Sequence, residues 1–566
     1  MPQDAFSLYH TTKELEKIIK NARVDKVNQP DNDTVVLSIR ALNQNLKLIL
    51  CANAQNTRVC LTKKESKNPL TAPNFCMLLR KHLSHATIKD IELLGFERII
   101  KITFECKNEL WEITDKIIYS EIMGKFSNII LVENGVILGA LKQSTLDESN
   151  LRPIFSGLKY TLPISQEKVE ITDEKASLDM LEKFNGCDLE NFIFTNFKGI
   201  AKSTAVEIVH SFKIKNSLDD DFVKNLNIIE FYKHFKNFYV SPKINPNLTN
   251  TKSGSDFYIT DYKSVLGEKI YFDSILDCID HHFTKKEEKK LFDSKKTKLL
   301  QVISAFDKKL RKKHQLLLER ELSCKDMEQN RLYGELIISN LYQLKSPTDK
   351  VCLIDYSKED CPTVEIKLDK TITPKENADK FFKKYAKQKK TLTATREFIE
   401  ENQQLLDYVS TLFKELEDAE SLSDFADIEE ELTLNGIIKP KKGTKQKEQP
   451  SKPRRYEYLG FEILVGRNNL QNDRLTLSSE RNDMFLHTKD YHSAHVIIKS
   501  MGREIPDKVI EYAAEICAYY SKAKNSDKVP VDYTLRKFVK KPNGLKTGMV
   551  IYTNHKTILV TPNPHF

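Results

Sequence analysis

The stretch Leu299–Leu317, LLQVISAFDKKLRKKHQLL, places apolar residues at steps of three, four and seven. This spacing is typical of one apolar seam along a helix, and it predicts a long helix over about Lys285–Leu344. A second charged helical stretch covers about Pro374–Leu434. Two strand-like runs, Val351–Tyr356 and Thr363–Leu368, lie between the two helices. The order predicts a long antiparallel coiled-coil hairpin with a small β head at its tip.

Charge is distributed unevenly along this predicted hairpin. Residues Lys285–Arg320 contain thirteen Lys or Arg against five Asp or Glu, whereas Glu415–Glu431 contain nine acidic residues and no basic one. A basic helical face attracts phosphate, but such a face is also an ordinary solvated surface. The hairpin is therefore either a spacer or dimerisation coil, or an arm that spans a large, partly nucleic-acid partner.

Composition limits the class of protein. The chain has 566 residues, 40% hydrophobic content and a formal net charge of +9, which predicts several domains and favours polyanionic partners. Its ten Cys are scattered singly, as in proteins of a reducing compartment. Neither a signal region nor an apolar run of membrane-spanning length is visible. Cys278, His281 and His282 lack further ligands at zinc-like spacing. We expect a cytoplasmic protein without metal or cofactor.

Alternating apolar residues predict an α+β domain with a curved sheet over about residues 1–170. The predicted strands are Val35–Ile39, Leu46–Leu50, Thr57–Leu61, Ile99–Phe104 and Ile129–Val132, and the predicted helices lie around Leu15–Ile19 and Phe75–Leu83. Two polar clusters interrupt this pattern, namely Gly95–Arg98 and Glu121–Asn128. An arginine can fork onto phosphate or a guanine edge, and a glycine allows close backbone approach. A surface ion pair and a tight turn are the structural alternatives.

At these positions the sequence resembles a known family. Phe75–Leu83, Gly95–Ile99 and above all Glu121–Leu131 are similar to the N-terminal domain of the NFACT family of RqcH and NEMF proteins, long labelled fibronectin-binding proteins. The resemblance continues along the whole chain. It implies that this domain holds tRNA, and it assigns tRNA binding to Glu97, Arg98, Glu121, Ile122, Met123, Gly124 and Lys125. Asp4 matches an acidic position near the family's start.

Three residues depart from the family pattern. Glu97 stands where Asp is usual, Lys125 where Arg is usual, and Phe126 where His is common. Lysine lacks the planar fork of arginine, so bidentate contact at position 125 is lost. Phe126 can stack on a base but offers no hydrogen bond.

The fold of this family's N-terminal domain is similar to that of formamidopyrimidine-type DNA glycosylases, whose nucleophile is an N-terminal proline. Pro2 would be exposed after removal of Met1, but those enzymes place Glu where this chain has Gln3. They also end in a four-Cys zinc finger, whereas the last 100 residues here contain only Cys517. The glycosylase reading is therefore not supported.

Residues 171–280 predict a mainly helical module, in which Asn196–Ala205 is similar to a helix-hairpin-helix turn around Gly199. Such a turn can offer backbone N–H groups to phosphate, although packing is its ordinary role. The predicted coil covers residues 281–435, with its head at about 346–372. Residues 436–455 are a basic, proline-containing linker that can also contact rRNA.

The last segment, residues 456–566, predicts a compact α+β domain. Its loop Gly466–Asp473 is rich in amide and guanidinium groups and lacks a nucleophile with a base, so it suits RNA rather than catalysis. Together with His487–Asp490, this loop resembles the family's NFACT-R module. The resemblance assigns RNA binding to Arg467, Asn468, Asn469, Asn472, His487 and Lys489. Buried structural histidines are the alternative for His487 and His495.

The resemblance implies a factor of ribosome-associated quality control. Such a protein binds large ribosomal subunits that carry peptidyl-tRNA, through rRNA and the stalk base, and it recruits tRNA-Ala. It promotes alanine tailing of the nascent chain without mRNA, and a small ribosome-binding accessory protein can assist. We expect no catalytic residue, because the ribosome forms the peptide bond. The alternatives are an rRNA- or tRNA-binding protein without tailing activity and a fibronectin-binding surface adhesin.

Overall fold

The computed structural model describes residues 3–66, 68–107, 112–144, 152–164, 167–217, 222–223, 226–252, 254–344, 348–358, 360–440, 451–489, 491–542 and 545–565. The chain forms two compact units, Met1–Lys289 and Lys290–Phe566, called here the first and second units. Pro2, Asp490 and most of the predicted basic linker lie outside the described residues.

A nine-stranded antiparallel sheet forms the centre of the first unit, with strand order β4-β3-β2-β1-β5-β6-β7-β8-β9. The strands are β1 (Arg23–Asn28), β2 (Thr34–Ala41), β3 (Gln44–Cys51), β4 (Arg58–Leu61), β5 (Thr87–Leu93), β6 (Ile99–Lys107), β7 (Ile113–Glu121), β8 (Asn128–Glu133) and β9 (Val136–Ala140). Helices α1 (Ala5–Ile19) and α2 (Asn74–Leu83) pack against it. The α+β class and the N-terminal position of the sheet are as predicted, whereas β1, β5, β7 and β9 were not predicted.

Strands β1, β5 and β7 have charged or mixed faces that hide the period-two signal, whereas β9 is a short apolar run that contains Gly139. Strand β7, for example, contains Asp115, which pairs with Lys89 on β5, and Lys116, which pairs with Glu133 on β8. These pairs replace the apolar contacts that make strands recognisable in sequence.

The rest of the first unit is only partly helical. It contains α3 (Glu174–Leu181), α4 (Leu189–Asn196), α5 (Lys202–Lys215) and α6 (Ile228–Val240), then a three-stranded sheet of β10 (Asn247–Thr251), β11 (Gly254–Tyr258) and β12 (Glu268–Tyr271). The expectation of a mainly helical module was wrong for this sheet. Its central strand buries the polar residues Asn247 and Thr249 on either side of Leu248, so no apolar alternation marks it in the sequence.

The long helices are shorter than predicted. Helix α7 (Ile275–Leu322) begins in the first unit, and a separate helix α8 (Met327–Ser339) follows it. Helix α9 (Pro374–Asp418) begins at a capping box formed by Thr373 and Glu376, and a second capping box at Ser421 starts α10 (Leu422–Leu434). The two predicted continuous helices are thus each broken near their ends. The two predicted head strands are present as β13 (Lys350–Ile354) and β14 (Thr363–Lys367), and they pair antiparallel.

Within the second unit, α7 and α9 run antiparallel. The Asn402 side chain donates to the Leu310 carbonyl at 3.2 Å. Arg396, earlier in α9, pairs at 2.8 Å with Glu321, which lies later in α7. An apolar cluster that includes Leu299, Ile303, Val409 and Leu412 lies between the helices. The apolar seam is therefore confirmed, and a supercoil of these helices remains a prediction.

The C-terminal part of the second unit is a six-stranded antiparallel sheet with order β15-β16-β18-β17-β19-β22, and α12 packs on one face. The elements are β15 (Arg454–Tyr458), β16 (Phe461–Val465), α11 (Asn469–Ser478), β17 (Met484–Thr488), β18 (Val496–Ile498), α12 (Asp507–Tyr519), β19 (Val529–Leu535), β20 (Val539–Lys540), β21 (Ile551–Tyr552) and β22 (Lys556–Val560). Strands β20 and β21 form a separate pair.

Across the described ranges, no helix has the length and apolarity that a membrane crossing needs.

Candidate functional site

The register of strands β6 and β7 brings the two polar clusters of the N-terminal domain together. Ile99, at the start of β6, pairs with Glu121, at the end of β7. The residue before β6 is Arg98, and its carbonyl accepts from the Ile122 amide at 2.8 Å. Two motifs that lie more than twenty residues apart in the sequence therefore form one site, which we call the β6–β7 corner.

The turn after β7 is held rigidly. Gly124 begins a single turn of 3-10 helix with φ of +60°, a backbone conformation that favours glycine. The Ser127 hydroxyl is buried and accepts from the Met123 amide at 2.9 Å. Lys125 and Phe126 project from this turn, and the Phe126 side chain is 70% exposed. The Lys125 Nζ lies 4.8 Å from the centre of the Phe126 ring.

Other residues of the same motif face inward. Glu121 is buried, and it accepts two hydrogen bonds from Arg152 at 3.1 and 2.8 Å and one from the Tyr160 hydroxyl at 2.9 Å. The Ile122 side chain is also buried. The motif thus divides into an internal part, which fixes the turn, and an exposed part at Lys125 and Phe126. Met123 is half-buried.

Glu97 and Arg98 are half-buried at the other side of the corner. The Glu97 carboxylate lies 3.8 Å from Lys198 Nζ, so Glu97 faces the turn between α4 and α5. Arg98 lines a cleft of about 350 Å³, its open mouth included. Its other lining residues are Gln3, Ala54, Gln55, Thr57, Ile122, Gly124 and Phe283. Sequence reasoning missed Gln3, because it considered that residue only as the replacement of a glycosylase glutamate.

Asp4 has an internal role. Its carboxylate caps α1 by accepting from the Ser7 amide at 2.9 Å, and it also accepts from the Ala201 amide at 3.0 Å and the Thr204 hydroxyl at 2.7 Å. Ala201 and Thr204 lie at the start of α5. A single carboxylate therefore holds two helix N-termini together.

The turn around Gly199 packs tightly against the start of α1. Gly199 has φ of +74°, and an added Cβ would lie 2.7 Å from Ala5 and 2.9 Å from the Tyr239 hydroxyl. Its carbonyl accepts from the Phe6 amide at 3.2 Å. Because Asp4 already occupies the N-terminus of α5, this turn serves packing in the described structure.

The segment Gly466–Asp473, predicted as a loop that faces RNA, lies against α9 and α10 instead, and from Asn469 onward it is the start of helix α11 rather than a loop. Asn468 caps α11 and donates to Asp427 at 3.1 Å, and both Asn468 and Asn469 are buried. The Asn469 amide donates to Glu415, and its side chain donates to Glu431 at 3.0 Å. Arg467 pairs with Glu420 at 3.0 Å. RNA contact by these groups would require their release from the acidic helices.

The remaining residues of the predicted C-terminal site differ in exposure. The buried Asn472 accepts from the His495 amide at 3.1 Å. Burial lowers the pKa of His487 to about 4 and that of His495 to about 3, so both rings are neutral at pH 7. His495 also contacts the Thr476 hydroxyl at 2.8 Å, which agrees with a structural histidine. Lys489 is exposed.

Two carboxyl groups meet beneath this loop. Burial raises the pKa of Glu415 well above its ordinary value and that of Glu431 to about 7, and the negative charge of Glu431 raises the pKa of Glu415 further. Asp427 and Asp473 add negative charge, whereas the hydroxyl of Tyr408 and the side chain of Asn469 donate to Glu431.

We expect Glu415→Gln to stabilise the second unit at pH 8. Both carboxyl groups release their protons at higher pH in the folded state than in the unfolded chain, where they titrate near pH 4.5, so the stability of the parent falls as pH rises above about 4.5. Glutamine at position 415 does not ionise and removes a negative charge beside Glu431, so the gain at pH 8 should be about 1 to 3 kcal/mol. Urea unfolding at pH 5 and pH 8 measures it. An equal effect at both pH values would contradict the raised pKa of Glu415.

Two models of known protein families together match nearly the whole chain. A family model described as the NFACT N-terminal and middle domains matches residues 4–451, and one described as the NFACT protein RNA binding domain matches residues 456–554. The chain belongs to the NFACT family. The resemblance noted from its motifs is thereby confirmed. As an NFACT protein, it has an RNA-binding domain at its C-terminal end.

Relatives of this NFACT protein match over nearly their full lengths. Rqc2 homolog RqcH of Bacillus subtilis (strain 168) is 35% identical over 572 residues, which cover 100% of this chain and 98% of that protein. Rqc2 homolog RqcH of Streptococcus pneumoniae serotype 2 is 32% identical over 578 residues, with the same coverage. The solved N-terminal part of a fibronectin/fibrinogen-binding protein from Streptococcus suis is 28% identical, covers 50% of this chain and 99% of that one, and gives a TM-score of 0.43.

Proposed function

We propose that this protein is a factor of ribosome-associated quality control. It binds large ribosomal subunits that are obstructed by peptidyl-tRNA, recruits tRNA and promotes tailing of the trapped chain without mRNA. The full-length relationship to proteins named Rqc2 homolog RqcH supports the proposal, as does the NFACT RNA-binding domain. The added residue is alanine, brought by tRNA-Ala.

The β6–β7 corner is the observation that carries tRNA binding. It places a guanidinium, an exposed lysine and a 70% exposed phenylalanine around one rigid turn. Cationic groups bind phosphate, and an exposed aromatic ring stacks on an unpaired base. This combination is typical of RNA surfaces that hold single-stranded loops.

The chain itself supplies position rather than chemistry under this proposal. The peptidyl transferase centre of the ribosome forms each peptide bond, and the protein holds the incoming tRNA in place, which is a proximity effect. The rRNA and the stalk base of the large subunit are its proposed contacts, a small ribosome-binding protein is a proposed accessory, and the cytoplasm is its proposed location.

The first experiment is to purify the tagged protein from stressed cells and to sequence the RNA that accompanies it. Large-subunit rRNA without small-subunit rRNA, together with one enriched tRNA, is the expected result. Absence of rRNA enrichment would overturn the ribosomal proposal. Enrichment without tails on a stalled reporter would favour the RNA-binding alternative that lacks tailing activity.

We expect Arg98→Ala to weaken tRNA binding about tenfold, because a charge-assisted contact to the RNA is lost. The slope of log affinity against log salt should decrease by about one. Combined with Glu97→Ala, the change should abolish tailing, as measured by mass spectrometry of a stalled reporter. Arg40→Ala is the matched control, because Arg40 is an exposed arginine of the same sheet. Normal tails in the double variant would contradict the assignment of this corner.

A further inference from the structure

Gln3 lies in an unusual position for a glutamine. Its side chain is only 5% exposed, and neither its Oε1 nor its Nε2 has a hydrogen-bond partner among the residues that the structure describes. A buried amide without partners destabilises a fold, because both groups have lost their water. An apolar side chain of similar length would therefore suit the free protein better.

The amide faces a cleft that already contains part of the β6–β7 corner. Ile122 and Phe283 form apolar walls, and both are buried. The Arg58 guanidinium packs over the Phe283 ring, with its central carbon 4.9 Å from the ring centre. Apolar walls with a few convergent polar groups are the usual pattern of a ligand site.

The cleft also contains a hydroxyl that is already hydrogen-bonded within the protein and a group that carries positive charge. The Thr57 hydroxyl donates to the Asn53 carbonyl at 2.5 Å and contacts the Ser127 hydroxyl at 3.2 Å. Arg98 brings a positive charge to the lining, and the exposed Lys125 and Phe126 follow Gly124 immediately. The Gln3 amide is thus a buried donor and acceptor pair next to cationic and aromatic groups.

We propose that this cleft accepts one unstacked nucleobase of the bound tRNA. The Gln3 amide pairs with the edge of the base, and Arg98 holds the adjoining phosphate. A glutamine amide reads adenine best, because its oxygen and nitrogen match the adenine N6 amino group and N7. The proposal rests on the tRNA-binding function proposed above, and it adds selection among tRNAs by a base contact.

The test uses Gln3→Met in the full-length chain. The purified protein is incubated with unfractionated bacterial tRNA, and the bound fraction is quantified and sequenced. Methionine keeps the side-chain length and removes the unsatisfied amide, so the melting temperature should stay the same or rise. Total tRNA binding should remain within about twofold, since phosphate contacts carry it. The enrichment of the selected tRNA should fall about tenfold.

Gln44→Met is the matched control, because Gln44 is an exposed glutamine on β3 of the same sheet and is not among the residues that line the cleft. Its selectivity should equal that of the parent. Unchanged selectivity in Gln3→Met would overturn the base site and leave tRNA binding intact. A lower melting temperature in Gln3→Met would also overturn it, because the amide would then have a structural role. Failure of the parent to bind tRNA at all would instead overturn the proposed function.

Discussion

Replacing Glu287 by alanine should lower the free energy of unfolding of the first unit by roughly 3 to 5 kcal/mol, because it leaves a buried charge without its partner. That charge is Arg58, whose side chain is 2% exposed and donates to Glu287 at 2.7 Å. Lys64 donates to the second carboxylate oxygen at 3.0 Å. Burial opposes ionisation, but Arg58 and Lys64 still hold the pKa of Glu287 below its ordinary value.

Hydrogen–deuterium exchange with mass spectrometry measures this loss in the first unit separately from the second. The double variant Arg58→Met/Glu287→Leu is the control, since it removes both charges, and it should stay within about 1 to 2 kcal/mol of the parent. The pair should also weaken in acid, as pH falls through the lowered pKa of Glu287. A loss below about 1 kcal/mol in Glu287→Ala would contradict the buried pair.

Asp4→Ala should destabilise the first unit by a similar amount, roughly 3 to 5 kcal/mol. The carboxylate accepts hydrogen bonds from Ser7, Ala201 and Thr204, and each bond to a charged group contributes about 1.5 to 3 kcal/mol, with incomplete additivity. The donors lie at the starts of α1 and α5, so both helices lose their caps. Hydrogen exchange in these two helices is the measurement.

Asp4→Asn is the matched control for this prediction. Asparagine still caps α1 through its oxygen, but its amino group then faces the Ala201 and Thr204 donors, so about half of the loss should remain. A structural role also predicts that tRNA affinity falls only as far as the fold does. A fully stable Asp4→Ala protein with reduced tRNA binding would contradict this role.

Sequence motifs identified the β6–β7 corner but not its construction. The Glu121–Asn128 pattern pointed to one functional turn, and the structure separates the buried Glu121 from the exposed Phe126. The buried Glu121 pairs with Arg152, which is thirty-one residues away in the sequence. The sequence cannot show which of several basic residues will meet a carboxylate, because that choice depends on which segments outside the strands fold back against the sheet.

The Arg467–Asn472 segment shows the same limit more strongly. Its amides and guanidinium suggested an exposed RNA loop, because such groups suit phosphates and base edges equally well. In the second unit they bind the carboxylates of Glu415, Glu420, Asp427 and Glu431 instead. Carboxylate and phosphate oxygens attract the same donors, so composition alone could not distinguish an internal acidic partner from RNA.

The sequence by itself determined the α+β class, the long helices, the β head and the family. These features follow from periodicity and local motifs, which act over a few residues. The tertiary structure alone decided that Arg98 meets the Gly124 turn, that Asp4 joins two helices, and that Gln3 faces a cleft without a partner. Each of these depends on which distant strands and helices become neighbours, and burial then fixes which polar groups are satisfied.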